Sequence, residues 1–399
     1  VTVKTAIPGA SNEVLQSAIS GVSEEAYTNA KKLSGTGLVG TNPDIDPGTE
    51  TFIGQVRWHK PLNPTINVAS LTDSTDGSST SYSSDYMRYV KSVRTHGAQK
   101  VNMQKVVTGV DALAKIGRDF GETRAQDEHN AILSILKGVA ISEALNGAAT
   151  GSGATGLGGQ TFDNDPTDKK YGFYVDLGSA KAVVDATTIL QGAARAQGFL
   201  NAFGMAFKDY EPEYAYLATS PEMMASFRSA NMVDQDRVTD GEIEFQTLFN
   251  GKFRLISTRA GQSMSSAQLT KINTGAGVDI VGTKTSFIIL PGALAMAQLD
   301  VPDSTEITRR GAAYKGGGVT DIWYRWGYVF APVGYDWIGS EEVFASDASY
   351  TGVIEGAADS AGTNAKALTA VTTIADAKGT WNRKTASALS LGILPVFHS

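Results

Sequence analysis

DALAKIGRDFGETRAQDEHNAILSILKGVAISEALNG, residues Asp111–Gly147, holds one period along its length. Leu113, Ile116, Phe120, Ile132, Ile135, Leu136, Val139 and Leu145 fall on one helical face, with gaps. Asp111 suits an N-cap, and Gly147 suits a C-terminal signal. Some ~35 residues at 1.5 Å each reach roughly 50 Å, too long for one wall of a small core. The segment reads as a spine, with Gly117, Gly121 and Gly138 as weak points where it is expected to bend. His129 stands beside Asp127 and Glu128, but a metal would need a further ligand on that face, and Glu122 is seven residues from His129. A solvated helix face is the expectation there.

The helix runs into ATGSGATGLGGQ, Ala149–Gln160, where Gly151 to Gly156 spell G-x-G-x-x-G. A dinucleotide turn needs a buried strand before the glycines and a helix after them, so that amide groups and the helix dipole meet a pyrophosphate. Here a helix enters, and the Gly/Asp/Pro-rich GLGGQTFDNDPTDKKYG follows, which is loop chemistry. No Lys-Ser or Lys-Thr completes a phosphate loop. The glycines read as a mobile loop that binds no nucleotide.

Upstream of the helix lie two strand-like runs, TFIGQVRWHK and DYMRYVKSVRTHG, joined by the polar LTDSTDGSSTSYSSD. They predict a long two-stranded loop, too poor in apolar flanks to fold alone. Thr51 to Val107 carries seven lysines and arginines against three aspartates, a surplus of four. The whole protein is −7, so the rest is −11. A basic arm lying on an acidic neighbouring copy fits this charge, and so does an ordinary solvated strand surface. Phe52, Val56, Trp58, Tyr89, Val90 and Val93 are the apolar residues such a contact would bury. Before it, residues 1 to about 49 are sparse in large apolar side chains and read as an arm, helical around Asn12 to Lys32.

Downstream, a helix is expected from Ser179 to about Phe207 and a strand over Tyr214 to Thr219. Ser220 then caps a helix with Pro221 in its first position. Asn250-Gly251 between apolar runs marks a tight turn. TSFIILPGALAMAQL is a buried strand ended by Pro-Gly, and GVTDIWYRWGYVFAPVGYDWIG a long aromatic strand with bulk on both faces. A strand from about Ala388 to Val396 closes the protein.

The 399 residues contain no cysteine, which excludes disulfides and thiolate chemistry. The four histidines form no His-Glu-x-x-His and no i,i+4 pair, and no Gly-x-Ser-x-Gly elbow occurs. The clusters Asp163–Asp168 and Asp73–Gly77 lack the spacing of a calcium loop, leaving weak surface binding as the alternative. No catalytic residue, metal ligand or cofactor is expected. The start, VTVKTAIPGASNE, lacks a signal peptide's apolar core, and a soluble protein made in the cytoplasm is the expectation.

The order of parts resembles the major capsid protein of a tailed bacteriophage, with the Hong-Kong-97-type fold. DALAKIGRDFGETRAQDEHNAILSILKGVAIS is similar to that family's spine helix, and YLATSPEMMASFRSANMVD, FNGKFRLISTRA and TSFIILPGALAM to parts of its body. STEITRRGAAYKGGGVTDIWYRWGYVFAPVGYDW and GTWNRKTASALSLGILPV resemble its return to the peripheral sheet and its closing strand. The resemblance implies an α+β fold. Its parts would be an N-terminal arm (1–50), an extended two-stranded E-loop (51–107) and a peripheral domain with the spine helix (108–171). An axial domain (172–318), a peripheral return strand (319–345) and a C-terminal segment returning to the axial domain (346–399) would follow. It further implies a non-enzymatic, self-assembling virion protein, made in the host cytoplasm and forming an icosahedral shell of hexamers and pentamers. Packaged double-stranded DNA would be contacted non-specifically; a portal and scaffold or decoration proteins would be partners, and no membrane. On this reading Arg57, Trp58, Arg88, Lys91 and Arg94 of the loop meet a neighbouring subunit. An encapsulin-like nanocompartment and a nucleotide-dependent enzyme are the alternatives.

Overall fold

The computed structural model describes residues 12–30, 33–41, 45, 53–59, 84–101, 112–148, 173–176, 197–204, 206–207, 212–240, 243–257, 284–310, 318–338, 380–383 and 391–398. Among the described residues the fold is α+β: a six-stranded and a seven-stranded sheet joined by one long helix, with a small two-stranded sheet beside them. The ribbon tip, the 151–159 glycines, both aspartate clusters, Asp111, the start of the 179–207 helix and the tail before residue 380 lie outside the described residues. Of the 179–207 helix, residues 197–204 and 206 are helical.

The first sheet takes its order from β1 (Val39–Thr41), β10 (Leu294–Leu299), β12 (Val319–Pro332), β3 (Ser84–Val101) and β2 (Ile53–His59). β11 (Thr305–Arg310) also pairs with β12, so β10 and β11 run one after the other along the same edge. Both therefore hydrogen-bond in the sheet of β3 and β12, although they precede residue 319. Alternation settles the faces of β12: Tyr324, Trp326, Tyr328 and Phe330 are buried, while Trp323 stays exposed across Gly97, its register partner.

Helix α2 (Ala112–Ala148) crosses the buried face. Phe120 stacks on Tyr324 at 5.5 Å and meets His96 edge-on at 5.4 Å. Leu113, Phe120, Ile132, Ile135, Leu136 and Val139 are all buried, as the period requires. On its other flank lies α1 (Asn12–Ala30). Gly117 and Gly121 are where α1 comes closest: a Cβ on Gly121 would collide with the Ser23 carbonyl oxygen and lie 2.7 Å from the Tyr27 amide nitrogen. The Ser23 hydroxyl donates to the Gly117 carbonyl at 2.9 Å. These two glycines, expected as bending points, admit a second helix, because only a hydrogen leaves room for its backbone.

The second sheet has the order β4 (Val175–Asp176), β15 (Ile393–His398), β9 (Lys284–Ile289), β5 (Ala215–Thr219), β8 (Phe253–Ser257), β7 (Ile243–Leu248) and β6 (Val233–Asp240). Helix α3 (Pro221–Ser229) begins as the sequence predicts, with the Ser220 hydroxyl accepting from the Met223 amide and Pro221 in the first turn. It ends with Asn231 at φ 55° and the Met232 amide bonded back to the Phe227 carbonyl, a left-handed cap. The closing strand starts five residues later than expected. Before it, Gly392 is packed so tightly against Ala293 that a Cβ would lie 2.6 Å away, and its carbonyl accepts from the Leu290 amide at 2.7 Å, in line with the β15–β9 register.

β13 (Tyr335–Ile338) pairs with β14 (Thr380–Arg383), burying Trp337 edge-on against Trp381 at 5.2 Å. Buried Glu143 of α2 accepts from the Phe173 amide at 2.7 Å and faces Arg383 at 3.4 Å, so three distant segments meet at one carboxylate.

Candidate assembly surface

β3 is one strand with two partners. Val101 back to Lys91 pair with β12, and Val90 back to Ser84 pair with β2. Its 18 residues at ~3.3 Å reach roughly 60 Å, so its first half leaves the sheet as a two-stranded ribbon. The ribbon's base is held by two sets of contacts. On one face, Val56, Met87 and Tyr89 pack with Ala295, Val329 and Ala331 in a small core of their own. Gly54 makes this possible, because the Tyr89 ring occupies the place a Cβ would take. On the edge away from β2, Asp336 of β13 accepts from the Arg88 amide at 2.6 Å and from its guanidinium at 3.0 and 3.3 Å. The Asp336 side chain is only 8% exposed, so the carboxylate end of this charge-assisted clamp is shielded from water.

The outer face of the ribbon is of a different kind. Gln55, Arg57 and Tyr86 are exposed, and Arg57 and Tyr86 are register partners. The Arg57 guanidinium lies 6.0 Å from the Tyr86 ring centroid, and its pKa is raised by the hydrogen bond to that phenol. A cation and an aromatic ring thus stand side by side on a surface that nothing in the described residues covers.

The five residues expected to meet a neighbour therefore part company. Arg57 stays on the ribbon's outer face, and Trp58 lies one residue on in β2. Arg88 is clamped by Asp336 yet keeps its side chain 39% exposed. Lys91 is buried within its own subunit. Arg94 turns inward, 3.7 Å from Asp127 of α2. Of the apolar residues expected to need a neighbour, Val56, Tyr89 and Val90 are already buried in their own subunit, and Val93 is exposed.

The acidic run on α2 corrects the solvated-face expectation. Glu128 is fully buried. It accepts from the Tyr27 hydroxyl of α1 at 2.6 Å and from Arg124 at 3.4 Å. Arg124 also donates to Glu24 of α1 at 2.7 Å and to the Tyr324 hydroxyl at 3.2 Å, and its guanidinium lies 4.0 Å from the Tyr27 ring centroid. Burial pushes the Glu128 carboxyl above the usual range, against the pull of Tyr27, Arg124 and Ser34. Asp127 accepts from the Tyr328 hydroxyl at 2.6 Å and the Trp326 indole at 3.1 Å. The run thus locks α1, α2 and β12 together. Its partners lie some 100 to 200 residues away; the spacing of Gly117 and Gly121 was the one local sign of a docked helix. No group of three or more metal-binding side chains occurs among the described residues, and none of their helices is long and apolar enough to cross a membrane.

No protein-family model and no curated protein matches the sequence. Among solved structures it is similar to the head structure of Helicobacter pylori bacteriophage KHP40, at 7% identity and TM-score 0.45, covering 100% of this chain and 94% of that one. It is also similar to the capsid of Ralstonia phage GP4, at 13% identity and TM-score 0.42, over 76% of this chain and 87% of that one. The capsid of cyanophage Pam1 follows at 9% identity and TM-score 0.41, over 78% and 88%.

Proposed function

We propose that this protein is a major capsid protein of the tailed-bacteriophage type, a structural subunit without catalytic activity that closes into an icosahedral shell around double-stranded DNA. The observation that carries the reading is the β2–β3 ribbon. It leaves the body as an extended lever, is clamped at its base by Arg88 and Asp336, and exposes Arg57 and Tyr86 where the described residues of its own subunit offer no cover. A lever of this kind gains by lying on a second copy, which supplies the acidic surface and the burial that it lacks.

On this reading the six-stranded sheet with α2 is the core of the peripheral domain and the seven-stranded sheet that of the axial domain. Residues 1–50 act as an arm, and the C-terminal segment returns to the axial sheet. Hexamers and pentamers form the shell, with a portal and scaffold or decoration proteins as partners. A body at −11 outside the ribbon keeps packaged DNA from sticking to the wall, since affinity for phosphate follows lysine and arginine contacts. Negative-stain microscopy of the purified protein tests the reading. Uniform closed shells are expected, and small monodisperse particles under all assembly conditions overturn it. Shells that enclose a cargo enzyme in place of DNA assign the protein to the nanocompartment alternative.

A further inference from the structure

We infer that Asn250 is a site of spontaneous deamidation and that Asp234 is its brake. The tip between β7 and β8 is a turn in which the Lys252 amide reaches back to the Phe249 carbonyl at 3.3 Å. Asn250 and Gly251 occupy its centre at φ 54° and 84°, the positive φ at both central residues that a type I′ turn requires. Asn250 is exposed. Gly251 carries no side chain of its own to crowd an approach to its nitrogen, and there is open space where a Cβ would stand.

Those are the requirements of the reaction. Solvent base takes the proton of the Gly251 amide, the nitrogen attacks Cγ of Asn250, and the bond between Cγ and Nδ2 breaks. Ammonia leaves, carrying a proton from water, and a five-membered imide remains. Water then opens either carbonyl, giving aspartate or its isomer with the backbone running through Cγ. Either product places a new negative charge beside Asp234, and the isomer adds one carbon to the backbone of the turn.

The Gly251 nitrogen is engaged in the native turn: its N–H donates to Oδ2 of Asp234, on β6, at 3.2 Å. Attack requires that bond to open and the Asn250 backbone to rotate. Asp234 therefore holds the nucleophile away from its target. The protein's other Asn-Gly, Asn146-Gly147, lies in the last turn of α2, where the Gly147 amide belongs to the helical hydrogen-bond ladder.

Peptide mapping of the full-length protein, incubated at mildly alkaline pH, tests this. The peptide holding Asn250 is expected to gain the mass of an NH replaced by O and to split into two isomers, ahead of the peptide holding Asn146. Asp234→Ala is expected to speed the change several-fold, and Gly251→Ala to slow it. Asn250→Ser removes it, which assigns the signal. An unchanged Asn250 in protein aged until a free peptide of the same sequence has converted overturns the site. Equal rates in Asp234→Ala and the parent, both folded by circular dichroism, overturn the brake.

Discussion

A methyl group at Gly121 would drive into the backbone of α1, whereas one at Gly21, on α1 itself, would meet nothing within 4 Å. The same residue type has opposite roles on the two packed helices. Gly121→Ala is expected to cost about 1–3 kcal/mol through overpacking and to expose α1 to protease. Gly21→Ala is expected to stabilise by up to about 1 kcal/mol through helix propensity. Thermal unfolding of the two variants checks the contrast. Glu128 offers a second test. Burial holds its carboxyl above the usual glutamate range, so the protonated form is favoured in the folded state. The stabilisation is fully present below the unfolded value and is lost as pH rises through the raised folded one. Urea titrations of parent and Glu128→Gln should show the parent losing its relative advantage as pH rises through that window; a difference independent of pH would count against a raised Glu128.

At the scale of elements, α2 is the member that both sheets share. Leu136 sits on its apolar face with no exposure. Leu136→Asp would bury an unpartnered carboxylate at a cost of several kcal/mol, and insoluble protein is expected. Soluble protein with the parent's Tm would show that the α2 face is not a core. The same helix shows how much of the site could be read in advance. Its period, its length and the alternation of β12 are local properties, so they were legible. The buried Arg124–Glu128 pair was not: Tyr27 and Tyr324, which make its burial tolerable, stand at separations of 101 and 200 residues. A charge run reads as solvated until its partners are known.

At the scale of the whole molecule, the ribbon's charges divide into those that build the fold and those left for assembly. Reversing Arg57, Arg88 and Arg94 together would not isolate assembly, because Arg88 is clamped by Asp336 and Arg94 faces Asp127. Arg57→Glu is the clean variant. It is expected to leave circular dichroism and Tm unchanged while sedimentation shows loss of shells; full-sized shells would mean that Arg57 is merely solvated. Arg88→Glu should instead lower the Tm, since it leaves Asp336 buried without its cation.

By itself the sequence determined the elements: the long helix, the capped start at Ser220, the Asn250-Gly251 turn and the two ribbon strands. These rest on period, caps and turn residues, whose causes act within a few residues of one another. Only the tertiary structure decided which lysines and arginines face outward, that β10 and β11 share β12's edge, and that Gly117 and Gly121 receive α1. Each of these depends on which distant segment fills the neighbouring space. Burial converts a charge from a solvated group into a partner-demanding one, and no local pattern records who that partner is.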